Sequence, residues 1–225
     1  HYTERREYDI YHAHYSFSGY VASLAKKKPL VVSLLGTDVI KSYFSRLILK
    51  LMSRICNWRH IIVKSSEMKN LLKIKKIQVV PNGVSFDTFY PIDQKKARSV
   101  LNWNLEEKIV LFNGNKSNPI KNYVLAEKAV SLCKIKIKIV EMKNLDQEKL
   151  NLYYNACDVF LSTSLWEGSP NTIKEAMACN ANIISTNVGD VKYLFGKEKY
   201  NRICTFDPLE ISTAITDTLG VKKEN

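Results

Sequence analysis

Short apolar runs recur along the whole chain, each followed by a segment with helical spacing, and this recurrence limits the fold more than any other feature of the sequence. The runs include "PLVVSLL" at 29–35, "KIVLF" at 108–112, "DVFLS" at 158–162 and "ANIIST" at 181–186. A strand with no polar alternation is covered on both faces, as in a parallel sheet with helices on each side. A further strand is expected at 10–12, and "HIIV" and "IQVV" add two more. Helical patterns fall at 18–25, 43–60, 123–132, 147–156, 170–180 and 209–219. The alternation predicts an α/β chain of doubly wound parallel sheets. Two such units are expected, joined near 81–91 beyond a turn at Pro81-Asn82-Gly83, with boundaries at 1–84 and 85–225. "IKIKIVEM" alternates Lys with Ile, which also suits an edge strand with one wet face.

At 225 residues and 45% hydrophobic content the chain can build a sizeable core. Its five cysteines are scattered and form no Cys-x-x-Cys pair, so neither a disulfide framework nor a zinc site is indicated. The N-terminus is charged, nothing resembles a signal peptide, and no run of about 18 apolar residues occurs. A soluble cytoplasmic protein is therefore expected. The net charge of +12 is concentrated at the front, where residues 1–90 carry 15 Lys and Arg against 6 Asp and Glu. An anionic partner follows: nucleic acid, an anionic membrane surface or a phosphorylated substrate. In the helix at 43–60, Arg46, Lys50 and Arg54 fall four apart beside Leu47, Ile48, Leu51, Met52 and Ile55. This suits either an anionic membrane or a solvated basic edge on a helix packed against its own sheet.

The stretch "WEGSPNTIKEAMACN" at 166–180 carries the chemistry. Ser169 is expected as an N-cap, Pro170 as the first helical residue and Asn180 as a left-handed end. The first-turn amides of Asn171, Thr172 and Ile173 then form an anion-binding surface, with Glu167 just before the helix and Glu175 one turn beyond Thr172. Carboxylates beside an anion site suit hydrogen bonds from neutral hydroxyls, such as those of a nucleotide sugar. Spacing alone equally allows two ordinary surface carboxylates. A second candidate is the loop Gly36-Thr37-Asp38 at the carboxyl end of a buried strand. His12 and His14 bracket a strand end, suited to a structural or acceptor-cleft role, with no third ligand in view.

Several ordered motifs, "DIYHAHYSFSGYVASLAKKKPLVVSLLGTDV", "VVPNGVSFDTFYP" and "NACDVFLSTSLWEGSPNTIKEAMACNANIISTNVGDV", resemble those of retaining family 4 glycosyltransferases of GT-B fold. The resemblance implies two Rossmann-like domains facing a cleft, the N-terminal one incomplete. It assigns Glu167, with Gly168, Ser169 and Pro170, to the donor sugar, Glu175 to the ribose, and Asn171, Thr172 and Ile173 to the diphosphate. Lys121 would neutralise the leaving phosphate, with Gly114 and Lys116 beside it. Lys121, Glu167 and Asp38 are the expected catalytic residues, and His14, Gly36 and Thr37 line the acceptor side. No Asp-x-Asp occurs, so no metal and no cofactor are expected.

The pattern is departed from where the family usually places an arginine before that lysine, since Asn115 or Asn118 stands there. Leu35 and Ser85 also replace residues usual in the family. On that resemblance the family's first strand and glycine-rich loop are expected to fall outside this sequence, and its C-terminus to be short. Expected partners are a nucleotide-sugar donor, a glycan or lipid-linked acceptor and an anionic membrane surface, with no nucleic acid. The setting is cell-surface polysaccharide or glycolipid assembly, cytoplasmic and peripheral at the inner face of a membrane. The alternatives are a degenerate sugar-nucleotide-binding module, a nucleic-acid binder using "AKKKP" and "KIKKIQ", and a glycoside hydrolase or phosphorylase on a related fold.

Overall fold

The computed structural model describes residues 8–40, 42–196 and 200–220. The chain divides into two units, His1–Asn82 and Gly83–Asn225, where the sequence places the boundary at 84/85.

In the first unit, strands β1 (Tyr11–His14), β2 (Leu30–Ser33), β3 (His60–Val63) and β4 (Ile77–Val79) form one parallel sheet in chain order. Helices α1 (Ser16–Leu24), α2 (Thr37–Ile40), α3 (Tyr43–Ile55) and α4 (Ser66–Leu72) connect them. Ser42 caps α3 by accepting from the amides of Phe44 and Ser45, and Ser65 caps α4 by accepting from Met68. Leu30, Val32, Leu34, Ile61 and Val63 pack with Trp58, Met68 and Leu72 into the core of this unit. Gly19 is where α1 crosses β2: a methyl group there would lie 3.0 Å from both Trp58 and Val32.

The second unit opens with α5 (Gln94–Val100) and carries the five-stranded parallel sheet β6-β5-β7-β8-β9. Its strands are β5 (Lys108–Phe112), β6 (Ile137–Glu141), β7 (Val159–Ser162), β8 (Ile183–Thr186) and β9 (Arg202–Cys204). Helices α6 (Tyr123–Ser131), α7 (Gln147–Ala156), α8 (Asn171–Ala178), α9 (Val191–Phe195) and α10 (Pro208–Gly220) cover it. Alternate residues of one strand enter different cores. Ile109 and Leu111 pack with Tyr154, Phe160 and Ile183, whereas Val110 and Phe112 pack with Ala126, Leu161 and Ile215. Both faces are therefore buried, as the apolar runs require. β6 lies at the edge, where Lys136 and Lys138 are exposed and Ile137 and Ile139 are half-buried.

Three differences from the sequence reading concern local chemistry. The loop expected at Gly36-Thr37-Asp38 winds into α2 from Thr37. Helix α8 begins at Asn171 rather than Pro170, with Pro170 in the extended N-cap conformation. The polar helix α5, to which the sequence reading assigned no element, is held by its buried Arg98, which donates to the carbonyls of Ala156, Leu105 and Glu107 and pairs with Asp158 at 2.8 Å.

Candidate active site

In the second sheet the chain leaves β5 for β6 on one side and returns to β7 on the other. The loops at the carboxyl ends of β5 and β7 diverge at this switch point, which is where open α/β sheets bind ligands. Asn113 ties the two strand ends together by donating from Nδ2 to Ser162 Oγ at 2.9 Å. Gly114 follows with φ of +123°, and a methyl group there would lie 3.0 Å from Lys121 Cγ. A side chain at 114 would thus push Lys121 out of its path.

Lys121 ends a 3₁₀ turn, Pro119–Lys121, which is capped by Asn118 accepting from the Ile120 amide and closed by Asn122 in the left-handed region. Thr163 clamps this turn to the β7 loop, donating to the carbonyls of Lys121 and Asn122 at 2.9 and 3.0 Å. The Leu165 amide adds a bond to the Ile120 carbonyl. The result is a fixed geometry: Lys121 Nζ donates to Glu167 Oε1 at 2.7 Å, and Ser164 Oγ donates to the same oxygen at 2.9 Å. Both side chains of the pair keep about a fifth of their surface exposed, at 20% and 18%. Lys116 is engaged elsewhere, its amide donating to Glu141 Oε2 and its Nζ lying 3.9 Å from Glu141 Oε1. Asn115 and Asn118 both act as local turn caps, accepting from the amides of Ser117 and Ile120.

Ser169 does not cap α8, which corrects the sequence expectation. A residue before proline is held in extended backbone, and the hydroxyl is taken by a buried network. Ser169 Oγ donates to Asp190 Oδ2 at 2.6 Å and accepts from Lys174 Nζ at 2.6 Å. Lys174 and Asp190 are 8% and 9% exposed. Burial raises the Asp190 pKa, while the Ser169 bond and the Lys174 charge oppose the rise. Gly189, at φ of +59°, packs its Cα against the peptide at 167–168, where a methyl group would come within 2.7 Å of the Gly168 carbonyl.

Pro170 and Gly168 are buried, and Ile173 places its side chain in the core, so only its backbone can face a ligand. Asn171 and Thr172 form the exposed and half-buried start of α8. Glu175 takes a separate position, accepting from the Tyr154 hydroxyl at 2.8 Å. Burial raises its pKa, and the Tyr154 bond opposes that rise. Asn113 Oδ1 and Asp190 Oδ1 are buried without a hydrogen-bond partner among the described residues. Each such acceptor costs roughly 1–3 kcal/mol unless water or a bound molecule supplies a donor.

The remaining candidates lie in the first unit. Asp38 is buried and accepts from the amides of Leu35 and Gly36 on Oδ1 and of Ser16 on Oδ2, so its carboxylate fastens the 35–38 segment to the start of α1. Burial raises its pKa against the pull of the backbone amides. Gly36 is buried, with φ of +132°, and Thr37 is exposed. His14 is exposed beside His12, their rings 4.4 Å apart, and His12 shares a 2.8 Å hydrogen bond with Ser33. Burial, then His14 and Lys64, lower the His12 pKa.

Tyr154, Ser164, Lys174 and Asp190 were not foreseen as site residues. They contact the expected ones across 3 to 21 positions, and although Ser164, Lys174 and Asp190 lie within the quoted motif, nothing in it marked them for the site.

Solved structures share this fold, the GT-B fold. Sucrose-phosphate synthase from Thermosynechococcus elongatus superposes with a TM-score of 0.80 at 20% identity, covering 96% of this chain and 65% of that one. Anabaena HepE, in complex with UDP and glucose, gives 0.78 at 16% identity, covering 94% and 68%. A glycosyltransferase from Rickettsia africae gives 0.74 at 18% identity, covering 94% and 66%. The model described as Glycosyltransferase Family 4 matches residues 2–88, and that described as Glycosyl transferases group 1 matches 114–220. Each model matches less than half of the chain, and together they make it similar to glycosyltransferases over most of its length. TuaC of Bacillus subtilis (strain 168), named as a teichuronic acid biosynthesis glycosyltransferase, is 26% identical over 237 residues. That alignment covers 92% of this chain, which spans 60% of the relative's length.

Proposed function

We propose that the protein transfers a sugar from a nucleotide-sugar donor to a hydroxyl of a glycan or lipid-linked acceptor, with retained anomeric configuration, in the assembly of a cell-surface polysaccharide or glycolipid. The observation that carries this reading is the Lys121–Glu167 pair, fixed at 2.7 Å at the switch point of the second sheet. One Lys121 N–H is used by Glu167, so two remain for a diphosphate. Lys121 and Ser164 both bond to Glu167 Oε1, which leaves Oε2 to accept from sugar hydroxyls. The amides of Asn171, Thr172 and Ile173 take the diphosphate at the positive end of α8, and Glu175 takes the ribose. As the bond from the anomeric carbon to phosphate oxygen breaks, charge growing on the diphosphate meets a fixed ammonium. The acceptor oxygen attacks from the same face, and its proton passes to the departing diphosphate. The transition state has oxocarbenium character.

UDP and UDP-glucose in the HepE structures support uridine as the first nucleotide to test. TuaC's name supports an acceptor in cell-wall polysaccharide. In the first unit, Asp38 acts by holding the segment of Gly36 and Thr37, and His14 lines the acceptor side. A peripheral position at an anionic membrane face fits the front-loaded positive charge. The test is incubation with UDP- and GDP-sugars and a lipid-linked acceptor, with the product anomer assigned by NMR. A product of inverted configuration, or free sugar alone, would overturn the reading.

A further inference from the structure

Helix α3 is built inside out. A surface helix normally turns its apolar stripe to the core, yet here Leu49, at 1% exposure, and Ser53 face inward while the larger apolar residues face out. Phe44, Leu47, Ile48, Leu51 and Ile55 occupy positions i, i+3, i+4, i+7 and i+11 and so form one stripe. All are exposed, with Phe44 and Ile55 at 67% and Leu51 at 58%. Lys50 and Arg54 run along one flank of that stripe, and beyond them opens a groove of about 530 Å³ lined also by Lys73, Lys75 and Lys76. None of these five cations has a carboxylate partner among the described residues.

We infer that α3 is the surface by which the protein docks on an anionic lipid bilayer, its stripe entering the acyl boundary and the basic groove receiving headgroup phosphates. This rests on the proposal of an acceptor held at a membrane and names the face that would reach it. Charge and apolarity together select the partner. Nucleic acid offers phosphates but no apolar surface for Phe44, Leu51 and Ile55. A second copy pairing through the stripe would bring two unpaired basic flanks together. An anionic bilayer satisfies both features in adjacent layers.

The experiment is vesicle co-sedimentation of the full natural chain, with phosphatidylcholine alone and with phosphatidylcholine containing phosphatidylglycerol. Two variants are compared, Leu47→Glu with Leu51→Glu, and Lys50→Glu with Arg54→Glu. All four positions are exposed or half-buried, so circular dichroism and the thermal midpoint are expected to stay unchanged. Binding is expected only to the anionic vesicles, with each double variant weakening it by roughly tenfold or more. Equal binding to neutral vesicles, no binding, or binding that both variants retain would overturn the inference. So would self-association abolished by Leu47→Glu with Leu51→Glu in a chain that ignores vesicles. UDP titration of the same samples separates this outcome from failure of the donor site, because α3 lies outside the unit that holds Lys121 and Glu167.

Discussion

Ser169 sits between an ammonium and a carboxylate, and its hydroxyl bonds to both at 2.6 Å. Such charge-assisted bonds in a dry setting hold a side chain in one orientation. The backbone at 168–170 is thereby fixed next to Glu167. Lys174→Met would leave Asp190 buried without the charge that favours its ionised form. A stability loss of about 1.5–3 kcal/mol is expected from urea unfolding, together with weaker nucleotide binding. Glu175 shows the opposite economy. Its folded pKa is raised by burial, so the stability it contributes is present below the unfolded carboxylate pKa and is lost as pH rises through the folded value. Glu175→Gln is therefore expected to stabilise the protein relative to wild type at pH 7 and to give no gain at pH 4. Equal gains at both pH values would contradict this account. The family resemblance singled out Lys121, Glu167 and Glu175, and the structure brings the first two into contact while Glu175 pairs with Tyr154. Lys174 and Asp190 were not legible, since nothing in one sequence shows that a lysine inside a helix and an aspartate after a strand meet over one hydroxyl.

At the scale of elements, apolar runs marked strands reliably because each is buried on both faces. Register at helix starts was less legible. Ser169-Pro170 read as N-cap and first turn by composition, but the tertiary network around the serine hydroxyl moved the start to Asn171. Helix α5 was missed because its inward stripe is Ala97 and Arg98 rather than large apolar residues. Arg98 works as a core residue by satisfying carbonyls of its own and neighbouring segments. Asp158, its partner, also accepts from the Ile109 amide at 2.7 Å. Removing one member of such a buried pair strands the other, at a cost of about 3–5 kcal/mol.

For the whole molecule this cost has a location. Each unit has its own core, and Arg98 belongs to the second. Trp58 is buried in the first unit, so a chain with Trp103→Phe and Trp166→Phe reports that unit alone by fluorescence. Arg98→Ala is expected to move the second unit's urea transition, followed through far-UV circular dichroism, to lower denaturant while the Trp58 transition stays in place. A matching shift of both would show that the units unfold as one.

The account rests on a nucleoside diphosphate binding at the switch point of the second sheet, and isothermal titration of the chain with UDP, GDP and ADP tests that claim most directly. One nucleotide is expected to bind, with Lys121→Ala weakening it by roughly ten- to a hundredfold, the value of a hydrogen bond to a charged group. Glu175→Ala is expected to weaken it by about tenfold through loss of the proposed ribose contact. A folded chain that binds none of the three, or binds one with an affinity indifferent to Lys121, would contradict the account.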